Sequence, residues 1–337
     1  MKRLNRSRGF WLRLLSALVC LAAGVGLFGA GKLVQRGLPD QNAAQRWQAG
    51  DLRYAQVSAF LSISASLTAT DVRIVQNGID TALATESLTA PEGARLWVQA
   101  YSAMTTATVT SGHASASVRA IATGGDYFLF HPLTMASGWY YSPDELMEDG
   151  ILIDRSLAWT LFGSYELTDM PVYVGGWPCR VLGVVETPEG LEGDAYGDEP
   201  TLWLPWRLYV RLNAAAAATC YEALVPDPVS GYARGVVTEA LNRNDNQCHV
   251  VENSARFGLE NELTTFVSLN QQVQQTTDIQ YPYWENAARV AQTRIGFLYA
   301  GAILLLVWPV GLALFTGLRW LIRGKRFLEL KWEERKR

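Results

Sequence analysis

Two stretches of the chain are apolar almost from end to end. The first runs from Leu14 to Gly31 without a charge, and the second from Ile295 to Leu318, 24 residues bounded by Arg294 and Arg319. As a helix the second reaches roughly 36 Å, enough to cross a hydrocarbon layer of about 30 Å even when tilted. The first, 18 residues long, reaches spanning length once Lys32 snorkels to the interface and Leu33 and Val34 are counted with it. Transmembrane helices are therefore expected over 14–34 and 295–318.

Between them, residues 35–294 change period repeatedly, as a mixed α+β domain does. Pro39 to Gly50 reads as helical, a continuation of the first span that Gly50-Asp51 ends. Tyr54 to Ser62 reads as a strand. Thr68 and Asp71 have the spacing of a capping box, opening a helix with Val72, Val75, Ile79 and Leu83 on one face. Arg95 to Thr110 and Ser115 to Thr123 flank Ser111-Gly112-His113 as a hairpin, and Ser142-Pro143-Asp144-Glu145 is a helix start. A strand, Ile151 to Asp154, leads to a helix, Ser156 to Phe162, that stops at Gly163. Val172 to Val174 and Cys179 to Val185 pair across Gly175-Gly176. Glu186 to Pro200 reads as an acidic, solvated loop. Strands follow at Thr201 to Leu204, Thr219 to Val225 and Gln247 to Val251, with a helix from Ala233 to Asn242.

Charge orients this pattern. Lys2, Arg3, Arg6, Arg8 and Arg13 precede the first span, and eight further basic residues, Arg319 to Arg337, follow the second. By the positive-inside rule both tails, 1–13 and 319–337, are expected to be cytoplasmic and the domain extracytoplasmic. Trp11 and Trp320 fall at matching ends of the spans. The tails hold 13 of 29 basic residues but three of 32 acids, so the remainder carries about −13, which the whole-chain charge of −3 conceals. So acidic an outer domain is unsuited to nucleic acid. A cleaved signal peptide, with Gly29-Ala30-Gly31 as a small-residue site, is the rival reading of the N-terminus; it leaves the domain on the same side.

Gly24-Val25-Gly26-Leu27-Phe28-Gly29 matches GxGxxG, and Gly26 to Lys32 matches GxxxxGK, but Leu33 stands where a P-loop needs Ser or Thr and no strand precedes either. Their place is a membrane helix, where Ala22, Gly26 and Ala30 repeat at i+4 as a small-residue packing face for a partner helix, the second span or another. Pro309, mid-span, is expected to kink that helix rather than break it.

Chemistry is sparse. HExxH, GxSxG and a complete P-loop are absent from the sequence, and the histidines are His113, His131 and His249. His131, before Pro132, reads as a packing residue, without Cys or carboxylate beside it at metal-ligand spacing. Asp144, Glu145, Glu148 and Asp149 open a helix and suit its dipole better than a cation. The acids Glu186, Glu189, Glu192, Asp194, Asp198 and Glu199 lack EF-hand order. Neither a cofactor nor a catalytic residue is expected. Cys20 lies in the first span; Cys179, Cys220 and Cys248 lie outside, either as free thiols or with one bridge such as Cys220 to Cys248.

From Gly124 to Glu186 the chain resembles the periplasmic core domain of MacB-like ABC transporter permeases, within the FtsX-like group. The features are Phe130-His131-Pro132-Leu133, a Ser137-Gly138-aromatic turn, Leu161-Phe162-Gly163, Met170-Pro171-Val172 and Val181-Leu182-Gly183-Val184-Val185, in that order. Tyr54 to Phe60 and the approach Tyr281 to Arg289 resemble the same permeases. The resemblance implies a two-lobed core domain and, as partners, a cytoplasmic ABC ATPase with additional permease helices or a homologous subunit. Such permeases usually have four membrane helices, and two are visible here. The basic tail Arg323 to Arg337 fits either a coupling helix or a segment held on anionic lipid. The function expected is that of a permease-like subunit transmitting a partner ATPase's cycle or engaging envelope substrates. A membrane-anchored binding or sensing module without ATP coupling is the alternative, and a hydrolase ranks last.

Overall fold

A computed structural model describes residues 2–47, 52–90, 93, 95–112, 114–142, 149–259, 261 and 278–334. The described residues divide into two units, a helical one within 2–36, 259, 261 and 292–334 and a mixed one within 37–258 and 278–291.

The helical unit contains α1 (Lys2–Arg36) and most of the chain's last helix, Tyr283–Glu334, which runs unbroken through Pro309. Both are long and apolar enough to cross a membrane. Leu15, Val19, Val25, Leu304, Val307 and Leu314 are each more than half exposed, an arrangement that suits lipid and not water. The helices meet where α1 has no side chain. A Cβ on Gly24 would lie 2.9 Å from Leu306 Cγ, and one on Gly31 would lie 2.6 Å from Tyr299 Cε1. Phe28 packs on Tyr299 with ring centroids 5.0 Å apart, and Trp308 Nε1 donates to Ser16 Oγ at 3.1 Å.

In the mixed unit, Leu38 precedes Pro39 and adopts φ −120°, ψ 80°, outside the helical region as pre-proline residues tend to be. This ends the expected continuation of α1. Pro39–Gln41 is instead a 3-10 turn, and α2 (Ala43–Arg46) a separate single turn. One sheet follows, built from β1 (Tyr54–Leu61), β2 (Val98–Thr110), β3 (Ser115–Gly125), β4 (Met135–Gly138), β5 (Gly150–Asp154), β6 (Pro171–Val174), β7 (Trp177–Val185), β8 (Thr201–Pro205), β9 (Cys220–Pro226) and β10 (Cys248–Glu252). Their order is β10-β1-β9-β2-β3-β8-β5-β7-β4, with β6 beside β2 and β7. The β3–β8 and β5–β7 pairs are parallel and the rest antiparallel, so the two anticipated lobes share a single mixed sheet.

Both faces of the sheet are covered, which is why all eight residues of β1 are buried. On the first face lie α3 (Ala69–Thr85), α5 (Arg155–Phe162), α7 (Trp206–Leu212) and α8 (Tyr232–Leu241), contributing Val72, Leu157, Leu208 and Val237 to one apolar cluster. The capping box opening α3 forms as expected, and Val72, Val75, Ile79 and Leu83 are its buried stripe. On the second face lie α2, α4 (Tyr127–Phe130), α6 (Gly190–Tyr196) and the first turn of the last helix, with Ala43, Phe130, Tyr196 and Trp284 in a second cluster. The β6–β7 turn places Gly175 and Gly176 at φ 57° and 83°, a left-handed pair that other residues rarely adopt. The expected acidic loop 186–200 contains α6 and buries Glu192 and Tyr196. A short turn, α9 (Asn253–Arg256), lies before the long helix α10 (Tyr283–Glu334) in the chain.

Candidate functional site

Because side chains alternate along a strand, the even residues of β1, Gln56 and Ser58, point to the second face, and Glu222 of β9 stands opposite Ser58 in register. This places an acid in an otherwise apolar strand, and a buried carboxylate requires partners. Ser58 Oγ donates to Glu222 Oε1 at 2.6 Å, and Asn253 Nδ2 donates to Ser58 Oγ at 2.7 Å. His131, the residue after α4, bonds the other Glu222 oxygen through Nε2, while its Nδ1 lies 3.4 Å from Asp40 Oδ2, close in charge but without hydrogen-bond geometry. His131 is 0% exposed, Glu222 2% and Asp40 4%. Trp284 and Tyr127 enclose the imidazole, with ring centroids 4.2 Å and 4.6 Å away. The turn carrying Asp40 is fixed further by Gln56, whose Nε2 donates to Asp40 O at 2.7 Å and whose Oε1 accepts from Ala43 N–H at 2.9 Å.

Burial alone pulls the imidazole pKa down, but the carboxylates of Glu222 and Asp40 outweigh it and raise it to about 10, so His131 is a buried cation at neutral pH. Glu192 of α6 is shifted upward as well, which for an acid favours the neutral form. Burial, with Asp40 adding to it, pushes its carboxyl up to about 8, and it is largely neutral at pH 7.

A second charged group holds the opening of α10. Arg256 grips Glu285 with two bonds, Nη1 to Oε2 at 2.7 Å and Nη2 to Oε1 at 3.0 Å, and Arg289 Nε adds a third at 2.9 Å. Burial would raise the Glu285 carboxyl, yet the two guanidiniums prevail and hold it below the usual range. Arg289 Nη2 also donates to His249 Nδ1 at 3.1 Å; burial and this arginine hold His249 down to about 4, neutral. Arg256 Nη1 lies 3.5 Å from Gln41 Oε1. The segment that follows α1 and the one that opens α10 are thus tied to β1, β9 and α9 by buried charge.

This arrangement holds chain segments together by buried charge. Ser58 donates to Glu222 and not to His131, so nucleophile and base are not paired. Among the described residues no three His, Cys, Asp or Glu side chains converge as a metal site. His131, expected as a packing residue without nearby carboxylates, has two, supplied 91 residues away by Asp40 and Glu222, respectively before and after it in the chain. His113, Asp144, Glu145 and Glu148 lie outside the described residues. Asp149 accepts from Arg180 Nε at 3.2 Å, and Glu186 pairs with Arg155 at 2.9 Å. Glu189, Asp194, Asp198 and Glu199 are exposed, while Glu192 is buried, against the expectation of a solvated loop.

Ala22 and Gly26 are exposed, Ala30 is partly so, and a Cβ on Gly26 would meet nothing within 4 Å. Two residues turn a helix by about 200°, so this stripe lies opposite Gly24 and away from the second apolar helix. The close approach of Leu306 and Tyr299 selects Gly24 and Gly31 instead. All four cysteines are free. Cys220 and Cys248 pair with Phe60 and Leu61 on opposite sides of β1, and they belong to the clusters on opposite sheet faces, which forbids the bridge between them.

A mixed sheet covered on both faces, with helices long and apolar enough to cross a membrane before and after it, is the arrangement of a membrane-anchored domain. Residues 11–230 match the MacB-like periplasmic core domain, and the chain belongs to that family. None of the curated proteins matches it. Among solved structures, the extracellular domain of the noncanonic ABC-type transporter YknZ from Gram-positive bacteria is 15% identical, with a TM-score of 0.40 over 58% of this chain and 100% of that one. The periplasmic region of MacB from Actinobacillus actinomycetemcomitans is 14% identical, with a TM-score of 0.42 over 66% of this chain and 94% of its own.

Proposed function

We propose that this chain is the membrane subunit of an ABC-type transporter assembly, in which the extracytoplasmic domain transmits the cycle of a cytoplasmic partner ATPase. Both termini are cytoplasmic in this reading, as their basic residues direct. The observation that carries it is the buried charge at the two chain segments adjoining the membrane helices. Asp40 is held against His131 and Glu222, and Glu285 is gripped by Arg256 and Arg289. Withdrawing one partner of such a group strands a charge out of water at a cost of about 3–5 kcal/mol. A displacement arriving along α1 or α10 is therefore passed to β1 and β9 rather than absorbed at the junctions. Additional helices, from a homologous subunit or another permease chain, would pack on the outward Ala22–Gly26–Ala30 face.

The test is purification of the tagged full chain in mild detergent from its native host. An ABC ATPase should co-purify, and its ATP hydrolysis should be stimulated by the wild-type chain and less by Glu285→Gln. Absence of any ATPase from the purified material overturns the proposal.

A further inference from the structure

The mixed unit also contains a cleft of about 620 Å³, between α3, the end of the β2–β3 pair and α7. Its volume suits a small organic molecule, for which sites of about 300–1,000 Å³ are usual. Its chemistry departs from that of the domain around it. Outside the terminal tails the chain has 29 acids and 16 basic residues, yet the described residues lining the cleft include Arg73, Arg207 and Arg211 and no acid. Arg73 is an exposed residue of α3 on one wall, and Arg207 and Arg211 are one helical turn apart on α7 on the other, with the Arg211 guanidinium 5.5 Å over the ring of Trp177. Arg207 lies close enough to Tyr101 to draw its hydroxyl pKa down against the larger effect of burial.

Between the arginines the surface is aromatic. Tyr101 and Trp206 meet edge to face, with centroids 5.0 Å apart. The ring of Tyr101 lies across the end of β3 because residue 124 is glycine: a Cβ there would fall 2.2 Å from Tyr101 Cε2. Trp206, 7% exposed, stands in the wall with its indole Nε1 unpartnered among the described residues. Planar guanidiniums suit the paired oxygens of carboxylates and phosphates, and aromatic faces suit an apolar body.

We infer that this cleft binds a small organic anion, a carboxylate or phosphate carried on an aromatic or apolar body, with the arginines on the oxyanion and the Tyr101–Trp206 surface under the body. This does not depend on ATPase coupling, and its test contains no ATPase. The full chain is placed in nanodiscs of neutral phosphatidylcholine and titrated calorimetrically with phenyl phosphate, inorganic phosphate and phenyltrimethylammonium. Phenyl phosphate should bind saturably and more weakly as salt is raised. Its affinity should fall about tenfold or more in the double variant Arg73→Gln/Arg211→Gln, as loss of charge-assisted bonds demands. Val210→Asp, at a lining position 44% exposed, adds an acid without removing an arginine and should weaken binding similarly, which guards against a double variant that fails to fold. Phenyltrimethylammonium should not compete. Inorganic phosphate binding as tightly as phenyl phosphate would remove the apolar body from the proposal and leave a free-anion site. Equal binding of the cation, absence of phenyl phosphate binding, or unchanged affinity in both folded variants overturns it.

Discussion

A histidine enclosed by Trp284 and Tyr127, without exposure to solvent, would ordinarily be neutral, and it is the two carboxylates that make His131 a cation. His131→Gln keeps much of the shape and removes the charge, leaving Glu222 and Asp40 uncompensated. Thermal and chemical unfolding of the full chain should show a loss of about 3–5 kcal/mol. The pH profile carries the same signature. With a folded-state pKa raised to about 10, His131 contributes stability that is fully present below its ordinary value of 6.5 and lost as pH rises through about 10. Glu192, raised from 4.5 to about 8, works in the same direction: its neutral form favours the folded state, and that contribution disappears as pH rises from about 5 to 8. Melting temperature should therefore decline on the alkaline side, and Glu192→Gln should flatten the part of the decline below about pH 8; an unchanged profile in that variant would refute the assignment. Of these residues His131, before Pro132, and Glu192, in the acidic stretch 186–200, stood out in the sequence. Glu222 had a readable signal, a single acid within the apolar run Thr219 to Val225. Asp40 had none, because its partner is 91 residues distant and is chosen by the sheet's register.

Among the elements, those whose cause is local were the legible ones. The helix α3 needs only Thr68, Asp71 and an apolar stripe, and the structure supplies the box in full: Asp71 N–H donates to Thr68 Oγ1 at 3.2 Å and Thr68 N–H to Asp71 Oδ2 at 2.9 Å. Thr68→Ala should cost about 1 kcal/mol in chemical unfolding while leaving the buried face of α3 intact. The β6–β7 hairpin was likewise written in Gly175-Gly176. By contrast α7 begins at Trp206 after Pro205, without a side-chain cap, and seven residues are too few for a convincing period. The strand order was hidden as well, since β1 is an inner strand only because β9 and β10, more than 150 residues later, close on both of its edges. Packing of the apolar helices was half legible: small residues marked α1 as a contact helix, but the face was decided by where Leu306 and Tyr299 sit.

At the scale of the molecule, the apolar helices and the acidic domain between them make a topology that can be tested by labelling. In intact cells of a cysteine-free background, a cysteine placed at Tyr173, an exposed residue of β6, should react with a membrane-impermeant maleimide. A cysteine at Asn5 or Lys336 should react only after permeabilisation, because the basic residues around both positions favour the cytoplasmic side. Reaction of Asn5→Cys in intact cells would refute the proposed orientation. The basic C-terminal segment then separates the two functional readings of the molecule. If 323–337 helps to couple the ATPase, deleting it should abolish ATPase stimulation while phenyl phosphate binding at the arginine cleft persists, since the described residues that line the cleft all fall within 69–211. If the same deletion leaves stimulation intact, the segment serves the lipid surface, where each basic residue near anionic headgroups contributes about 1 kcal/mol.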